Sequence, residues 1–115
     1  MPRATYLYSF DVRPERRTEL AEWVRASGLP FWLSRLGLLS YRTYRVNAGS
    51  AASLSAAEFE SGEALGRMLD SQAWIDTLAE FHSFTANFHA WILGPGSTGD
   101  EPLSPAQPTS LVPEA

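Results

Sequence analysis

Apolar and polar residues alternate along the first stretch of the chain, residues 4–12. One parity of this stretch is apolar throughout: Tyr6, Tyr8, Phe10 and Val12. The opposite parity is mostly polar, with Leu7 as its one large apolar side chain. A period of two over nine residues predicts a β-strand with one strongly apolar face.

The spacing then changes to that of a helix. Pro14 suits the first helical turn, where its missing N–H costs nothing. The apolar side of this helix carries Leu20, Trp23, Val24 and Ser27. We expect Gly28 and Pro30 to end it, with residues 30–36 adding one short turn before Gly37.

Residues 38–47 and 53–61 are rich in β-forming residues and flank an Ala-Gly-Ser turn, which predicts a β-hairpin of unspecified register. Ser61 is placed to cap a following helix, and Ser71 to cap its continuation. The continuation carries one stripe of large side chains: Trp74, Ile75, Leu78, Phe81 and His82. Residues 85–93 alternate again and predict a last strand.

The predicted order is therefore β-α-β-β-α-β, the ferredoxin-like α+β topology with an antiparallel four-stranded sheet and helices on one face. We assign residues 1–94 to this domain. Residues 95–115 are rich in Pro and Gly, and we expect a flexible tail that only Leu111 and Val112 can anchor.

The amino-acid composition excludes several kinds of reaction and partner. The chain has no Cys, and its nine basic residues are all Arg, which excludes disulfides, thiolate chemistry and lysine Schiff bases. A net charge of −4 argues against a nucleic-acid partner. No apolar run is long enough for a membrane span and no secretory leader is evident, so we expect a cytoplasmic protein.

Several segments occur in a familiar order: the aromatic first strand, Leu38-Leu39-Ser40-Tyr41, Ala57-Glu58-Phe59-Glu60-Ser61 and Leu69-Asp70-Ser71-Gln72-Ala73-Trp74. The arrangement resembles the dimeric α/β-barrel superfamily, within it the NIPSNAP-like and antibiotic-biosynthesis-monooxygenase-like branches. The resemblance covers residues 4–94. It implies a homodimer in which two sheets close into a barrel, and a pocket between each sheet and its helices.

The residue pattern supports a dimer independently. A sheet with helices on one face leaves its other face bare, and the first and last strands carry apolar residues on both faces, as Trp91 and Ile92 show. A second copy of the chain is the commonest cover for such a face.

The two histidines, His82 and His89, are the side chains that titrate near neutral pH, so both are candidates for proton transfer. His82 lies on the apolar stripe of its helix and is alternatively a histidine at the edge of the core. His89 alternates with Asn87 and Trp91 on one strand face, which lines either a cavity or the dimer contact. Two histidines without a third ligand make a poor metal site, so we expect no metal and no cofactor.

Tyrosines can hold a developing oxyanion, and Tyr8 and Tyr41 are the candidates for this role, although strand tyrosines more often serve packing. The residues expected to line the pocket are Tyr6, Trp23, Trp32, Trp74, Asn87 and Trp91. Arg42 and Arg45 face opposite ways on their strand. One of them is expected to point inward or into the dimer contact, and an inward arginine would pair with Glu58 or Glu60, or else with a ligand carboxylate.

We therefore expect a small-molecule-binding dimeric α/β-barrel protein. As an enzyme it would be a cofactor-independent monooxygenase or cyclase acting on an aromatic or polyketide-like compound. The alternative is a non-catalytic ligand-sensing or interaction module; a structural stress-response barrel has no feature for or against it. The superfamily it resembles includes haem-degrading enzymes that use an Asn on the first strand with a Trp and a His on the later helix. Trp74 and His82 are candidates for the last two, but the first strand has no Asn, which argues against haem degradation.

Overall fold

The computed structural model describes residues 2–47, 49, 52–99, 101, 103 and 105. Its four strands form one antiparallel sheet: β1 (Ala4–Val12), β2 (Leu38–Arg45), β3 (Ser53–Phe59) and β4 (Thr85–Leu93). The strand order across the sheet is β2-β3-β1-β4. The predicted β-α-β-β-α-β topology is confirmed.

Two helical segments connect the strands and pack on one face of the sheet. The first comprises a 3₁₀ turn (Pro14–Arg16), α1 (Arg17–Trp23), a π-helical turn (Val24–Gly28) and α2 (Leu29–Leu33). The second comprises α3 (Gly62–Leu69) and α4 (Gln72–Phe84). Both predicted caps are present, because the Ser61 and Ser71 hydroxyls accept hydrogen bonds from the N–H groups of Ala64 and Trp74.

The prediction that Gly28 and Pro30 end the first helix is wrong. Helical backbone continues to Leu33, and Gly28 itself has a helical φ of −65°. The wide turn before it is closed by a hydrogen bond from Leu29 N–H to the Val24 carbonyl. Pro30 then lies in the first turn of α2, where a backbone N–H is not needed. The helix therefore passes both residues without losing a required hydrogen bond.

The core lies between the sheet and the helices and is largely aromatic. The apolar parity of β1 points into it, with Tyr6, Tyr8 and Phe10 all buried. Opposite them on β3, the small residues Ser55 and Ala57 pair with Tyr8 and Tyr6. We call the uncovered side of the sheet the open face; it carries Leu7, Tyr44, Leu54, Trp91 and Leu93.

Two irregularities bend the sheet. β4 has one extra residue opposite β1 between His89 and Ala86, and Asn87 there has a φ of 54°. Asn tolerates this left-handed conformation better than most residues, and its side-chain amide donates to the Asp11 carboxylate at 2.8 Å. β2 has a second extra residue opposite β3 at Leu39.

The predicted ion pair of Arg42 or Arg45 with a strand glutamate is not formed. Both arginines are exposed, and Glu58 lies 4.0 Å from Arg3 instead. Arg3 also pairs with Glu101 at 3.4 Å, just after a turn that joins Gly96 and Gly99. The expected tail anchors, Leu111 and Val112, lie outside the described residues.

Candidate functional site

A cavity of about 100 Å³ lies between the sheet and the helices. Its floor comes from β1, β2 and β3, and its walls from the first helical segment and α4. The lining side chains are mostly apolar and aromatic, with a few hydroxyl groups among them. This is the chemical character of a small-molecule pocket, although the volume is below the about 300–1,000 Å³ of a drug-sized site.

The π-helical turn shapes one wall. Val24 and Gly28 from this turn and Leu29 after it line the cavity. Gly28 is required by a close approach, because a Cβ atom there would lie 2.9 Å from the Trp23 ring. Such turns are rare within helices and occur often at functional sites.

Trp23 joins the two helical segments beside the cavity. Its indole N–H donates to the Glu80 carboxylate on α4 at 3.0 Å. Its rings lie 5.9 Å from Phe81 and 5.8 Å from Phe84, centroid to centroid. Trp23 is thus held by a polar contact at its tip and by aromatic packing along its body.

Trp32, on the helical wall, packs over the tyrosines of the cavity floor. Its ring stacks on Tyr41 with centroids 5.3 Å apart and on Tyr8 at 6.1 Å. Trp74 from α4 packs against Trp32 at 5.3 Å, and Tyr6 meets Trp74 edge-on at 5.5 Å. These rings present flat surfaces fixed by their neighbours, which suits an aromatic ligand.

Two phenols meet in this cavity. The hydroxyl oxygens of Tyr8 and Tyr41 are 2.6 Å apart, a short O–H···O hydrogen bond. Burial strongly raises the pKa of Tyr8, and the neighbouring Tyr41 raises it further, whereas the nearby polar groups of Ser55 and Trp32 lower it. Burial also raises the pKa of Tyr6. Tyr8 is therefore a neutral phenol that can donate and accept hydrogen bonds but cannot act as a base near neutral pH.

The described residues that line the cavity carry no formal charge. None of them is a histidine, a carboxylate or an arginine. No group of three or more histidine, aspartate or glutamate side chains that could hold a metal ion occurs in the described part of the chain. Within that lining, the hydroxyls and the indole N–H groups are the polar side-chain groups available to a ligand.

The structure brings together five of the predicted site residues: Tyr8, Tyr41, Trp23, Trp32 and Trp74. Tyr6 lies in the adjoining core. Sequence reasoning missed the hydroxyls of Thr43, Ser55 and Thr77. The signal for Ser55 was its place on the core-facing parity of β3, where a buried polar residue needs a partner.

The other predicted site residues do not line this cavity. His82 is exposed on α4, with its ring edge-on to Phe88 at 4.9 Å. His89 lies on the open face and stacks on Trp91 at 6.4 Å. Asn87 belongs to the bulge of β4. His89 and Trp91 therefore lie where a second sheet would pack, on the side opposite the cavity.

No protein-family model matches the chain, and no curated protein matches it. Solved structures do. SnoaB, a cofactor-independent oxygenase from Streptomyces nogalater, superposes with a TM-score of 0.63 at 15% identity, covering 81% of this chain and 92% of SnoaB. A Mycobacterium tuberculosis protein superposes with a TM-score of 0.64 at 21% identity, covering 84% of this chain and 97% of its own. A DABB family protein with a ferredoxin-like fold from Mesorhizobium loti gives 0.66 at 11% identity, with coverages of 84% and 100%.

The chain has the ferredoxin-like fold. At these identities the likeness establishes the fold alone. The ferredoxin-like fold, predicted from element order, is confirmed, whereas the dimeric barrel and the two branches named from the resemblance stay predictions. In the described part of this ferredoxin-like domain, no helix combines the length and apolarity needed to cross a membrane.

Proposed function

We propose that this protein binds a small aromatic molecule in the cavity between the sheet and the helices. The observation that carries the proposal is the combination of flat aromatic walls with a buried pair of phenol hydroxyls. Packed cores rarely leave space larger than a water molecule. A cavity of about 150 Å³ lined by apolar side chains can bind benzene, so a cavity of about 100 Å³ limits the ligand to one small ring at most.

The cavity volume argues against the polyketide-like ligand that the sequence led us to expect. A fused polycyclic molecule requires more volume than this chain alone encloses, and Trp32 and Phe81 are two of the aromatic rings that line the cavity. We therefore propose a monocyclic aromatic ligand, bound with its ring against Trp32 and its polar substituent toward Tyr8 and Tyr41.

The binding function is proposed to operate in a homodimer. On the open face, Tyr44 is 47% exposed, Trp91 47% and Leu93 42%. Leu7 and Leu54 lie between them on the central strands. Aromatic residues exposed together on a sheet face favour an interface. A second copy of the chain, packed sheet to sheet, buries this face and completes the barrel.

A catalytic role is the second candidate, and SnoaB, a cofactor-independent oxygenase with the same fold, supports it. The phenol pair can donate a hydrogen bond to an oxygen that gains negative charge. None of the described lining residues is a histidine or a carboxylate that could remove a proton, and this favours the non-catalytic ligand-sensing alternative. Oxygen uptake measured with monocyclic hydroquinones separates the two: uptake that Tyr41→Phe abolishes supports an oxygenase, and its absence with retained binding supports a sensor.

Binding itself is tested by filling the cavity. Thr77 lines it from α4, and its hydroxyl is already bonded to the Ala73 carbonyl at 2.7 Å. Thr77→Met extends an apolar side chain into the space, and we expect calorimetric titration with styrene to show binding by the wild type and little by this variant. Thr18→Met, at an exposed position of α1, is the matched control and should bind like the wild type. Equal binding by all three proteins would contradict the proposal.

A further inference from the structure

We propose that a groove on the helical side of the domain is a second binding site, in which Arg35 and Arg67 hold a small organic anion. The groove has a volume of about 370 Å³ and lies between the end of the first helical segment and α3. We call it the arginine groove; its lining includes Ser34, Arg35, Leu36, Arg67, Met68 and Ser71. None of these residues lines the aromatic cavity, so the two sites are separate.

The two arginines give the arginine groove a positive charge that the described residues do not neutralise. Within those residues, neither Arg35 nor Arg67 lies within 4.0 Å of a carboxylate oxygen. Glu63 and Asp70 are four and three residues from Arg67 along the chain, yet neither pairs with it. The net charge of the chain is −4, so carboxylates are not scarce. Two unneutralised arginines in one concave site attract an anion.

Arg35 is half-buried and held in one orientation. Its guanidinium lies over the Phe31 ring, 4.1 Å from the centroid. Its Nε donates to the Phe31 carbonyl at 2.9 Å, and its Nη2 donates to the Ser34 hydroxyl at 3.1 Å. A guanidinium has five N–H groups, so three remain for a ligand, two of them on Nη1. Because these contacts already fix the side chain, ligand binding costs less entropy than ordering a free arginine.

The serine hydroxyls of the arginine groove are already bonded within the protein. The Ser34 hydroxyl donates to a backbone carbonyl of α2 at 3.0 Å and accepts from Arg35. The Ser71 hydroxyl donates to the Met68 carbonyl at 2.7 Å and accepts from the Trp74 N–H at 3.2 Å. The side-chain donors that the described lining leaves available are therefore arginine N–H groups. A carboxylate or phosphate group accepts from guanidinium groups in short, charge-assisted hydrogen bonds.

The rest of the arginine groove is apolar, which indicates that the anion carries an organic group. Ala64 and Met68 contribute buried side chains to the lining. Leu36 also lines the groove, although it is 89% exposed. The volume lies within the about 300–1,000 Å³ that is typical of small-molecule sites and exceeds what an inorganic anion fills. The ligand thus has an apolar group against Met68 and Leu36, and an oxyanion on the arginines.

Benzoate and benzamide form a matched pair of probes, because a neutral amide replaces the carboxylate on the same ring. Nuclear magnetic resonance signals of the Leu36 and Met68 backbone amides report binding at the arginine groove and not in the aromatic cavity. Benzoate at millimolar concentration should shift these signals in the wild type, and benzamide should not. Phenyl phosphate carries more negative charge and should bind more tightly than benzoate. It should also bind more tightly than inorganic phosphate, because its ring contacts the apolar lining.

Three arginine variants locate the binding. Arg35→Gln removes an oriented guanidinium and should weaken phenyl phosphate about tenfold to a hundredfold. Arg67→Gln removes an exposed cation and should weaken it about twofold to fivefold. Arg25→Gln, at an exposed position of the π-helical turn, changes the net charge equally and should bind like the wild type. Arg67 bonds to no other described residue, so its variant decides the test if Arg35→Gln does not fold.

Losses confined to the Arg35 and Arg67 variants, with phenyl phosphate bound more tightly than inorganic phosphate, support the site. The proposal is wrong if neither anion shifts the Leu36 and Met68 signals, or if benzamide shifts them as much as benzoate does. An equal loss in Arg25→Gln and Arg67→Gln also overturns it, because the attraction would then come from overall charge. Equal affinities for phenyl phosphate and inorganic phosphate overturn the assignment of an organic ligand. Binding of styrene in the aromatic cavity is a separate measurement and decides only the proposed function.

Discussion

The hydroxyl oxygens of Tyr8 and Tyr41 lie 2.6 Å apart, although β3 separates their strands in the sheet. The contact is possible because the two β3 residues that lie between them on this face, Ser55 and Ala57, are small and buried. The two phenols meet above them and enclose one end of the cavity. A larger side chain at either β3 position would separate the hydroxyls, so the site depends on three strands at once.

Stability should fall at alkaline pH because of Tyr8. Its pKa is raised in the folded chain by burial, so the folded state keeps a proton that the unfolded chain loses near pH 10. The stabilisation is complete below that pH and is lost as pH rises above it. Tyr8→Phe lacks this contribution. Above about pH 10, its free energy of unfolding should therefore fall with pH less steeply than that of the wild type, and the two slopes should differ by about 1.4 kcal/mol per pH unit.

Urea unfolding between pH 8 and about pH 11 measures this difference. The chain has no lysine, and Tyr6, whose pKa burial also raises, is present in both proteins, so the difference between them reports Tyr8. At pH 8, Tyr8→Phe should cost about 1–3 kcal/mol, because the Tyr41 hydroxyl loses its hydrogen-bond partner. Tyr44→Phe, at a half-exposed position, is the control. The same pH slope in wild type and Tyr8→Phe would show that Tyr8 ionises normally.

Gly28→Ala should destabilise the fold even though alanine is the better helix former. The new Cβ would lie 2.9 Å from the Trp23 ring, which must then shift away from Phe81 and Phe84. We expect a loss of about 1–3 kcal/mol, measured by urea unfolding. Gly66→Ala in α3 meets nothing within 4 Å and should instead stabilise by about 0.4–1 kcal/mol. Equal gains in both variants would show that the Gly28–Trp23 contact does not constrain the wall.

A substitution on the open face tests the proposed dimer. Trp91→Glu places a charge among Leu7 and Leu93, and its copy across the two-fold axis adds a second like charge. Light scattering should give twice the 12.7 kDa chain mass for the wild type and the single chain mass for this variant. Leu36→Glu, at a site 89% exposed and off the sheet, should stay dimeric. A monomeric wild type at micromolar concentration would contradict the assembly.

Local pattern was sufficient for much of the fold. The bounds predicted for β4, residues 85–93, are those observed, because alternation and the Gly94-Pro95 stop are both local signals. The caps at Ser61 and Ser71 were predictable for the same reason: a serine hydroxyl meets an N–H three residues later in the same segment.

Features that depend on tertiary contacts could not be predicted from the sequence. The π-helical turn exists because Gly28 packs against Trp23, and a glycine near a proline looks like a helix end from sequence alone. His82 follows Phe81 directly, and the helix turns Phe81 into the core and His82 to solvent. The pairing of Tyr8 with Tyr41 required the register of both strands with β3, which alternation does not specify.

The central claim is that a one-ring aromatic molecule occupies the cavity between the sheet and the helices. Intermolecular nuclear Overhauser effects from bound styrene to the protein test it most directly, because they report which rings lie against the ligand. We predict contacts to Tyr8, Tyr41, Trp32 and Phe81. Contacts to His89 and Trp91 on the open face instead, with none to the cavity rings, would contradict the account.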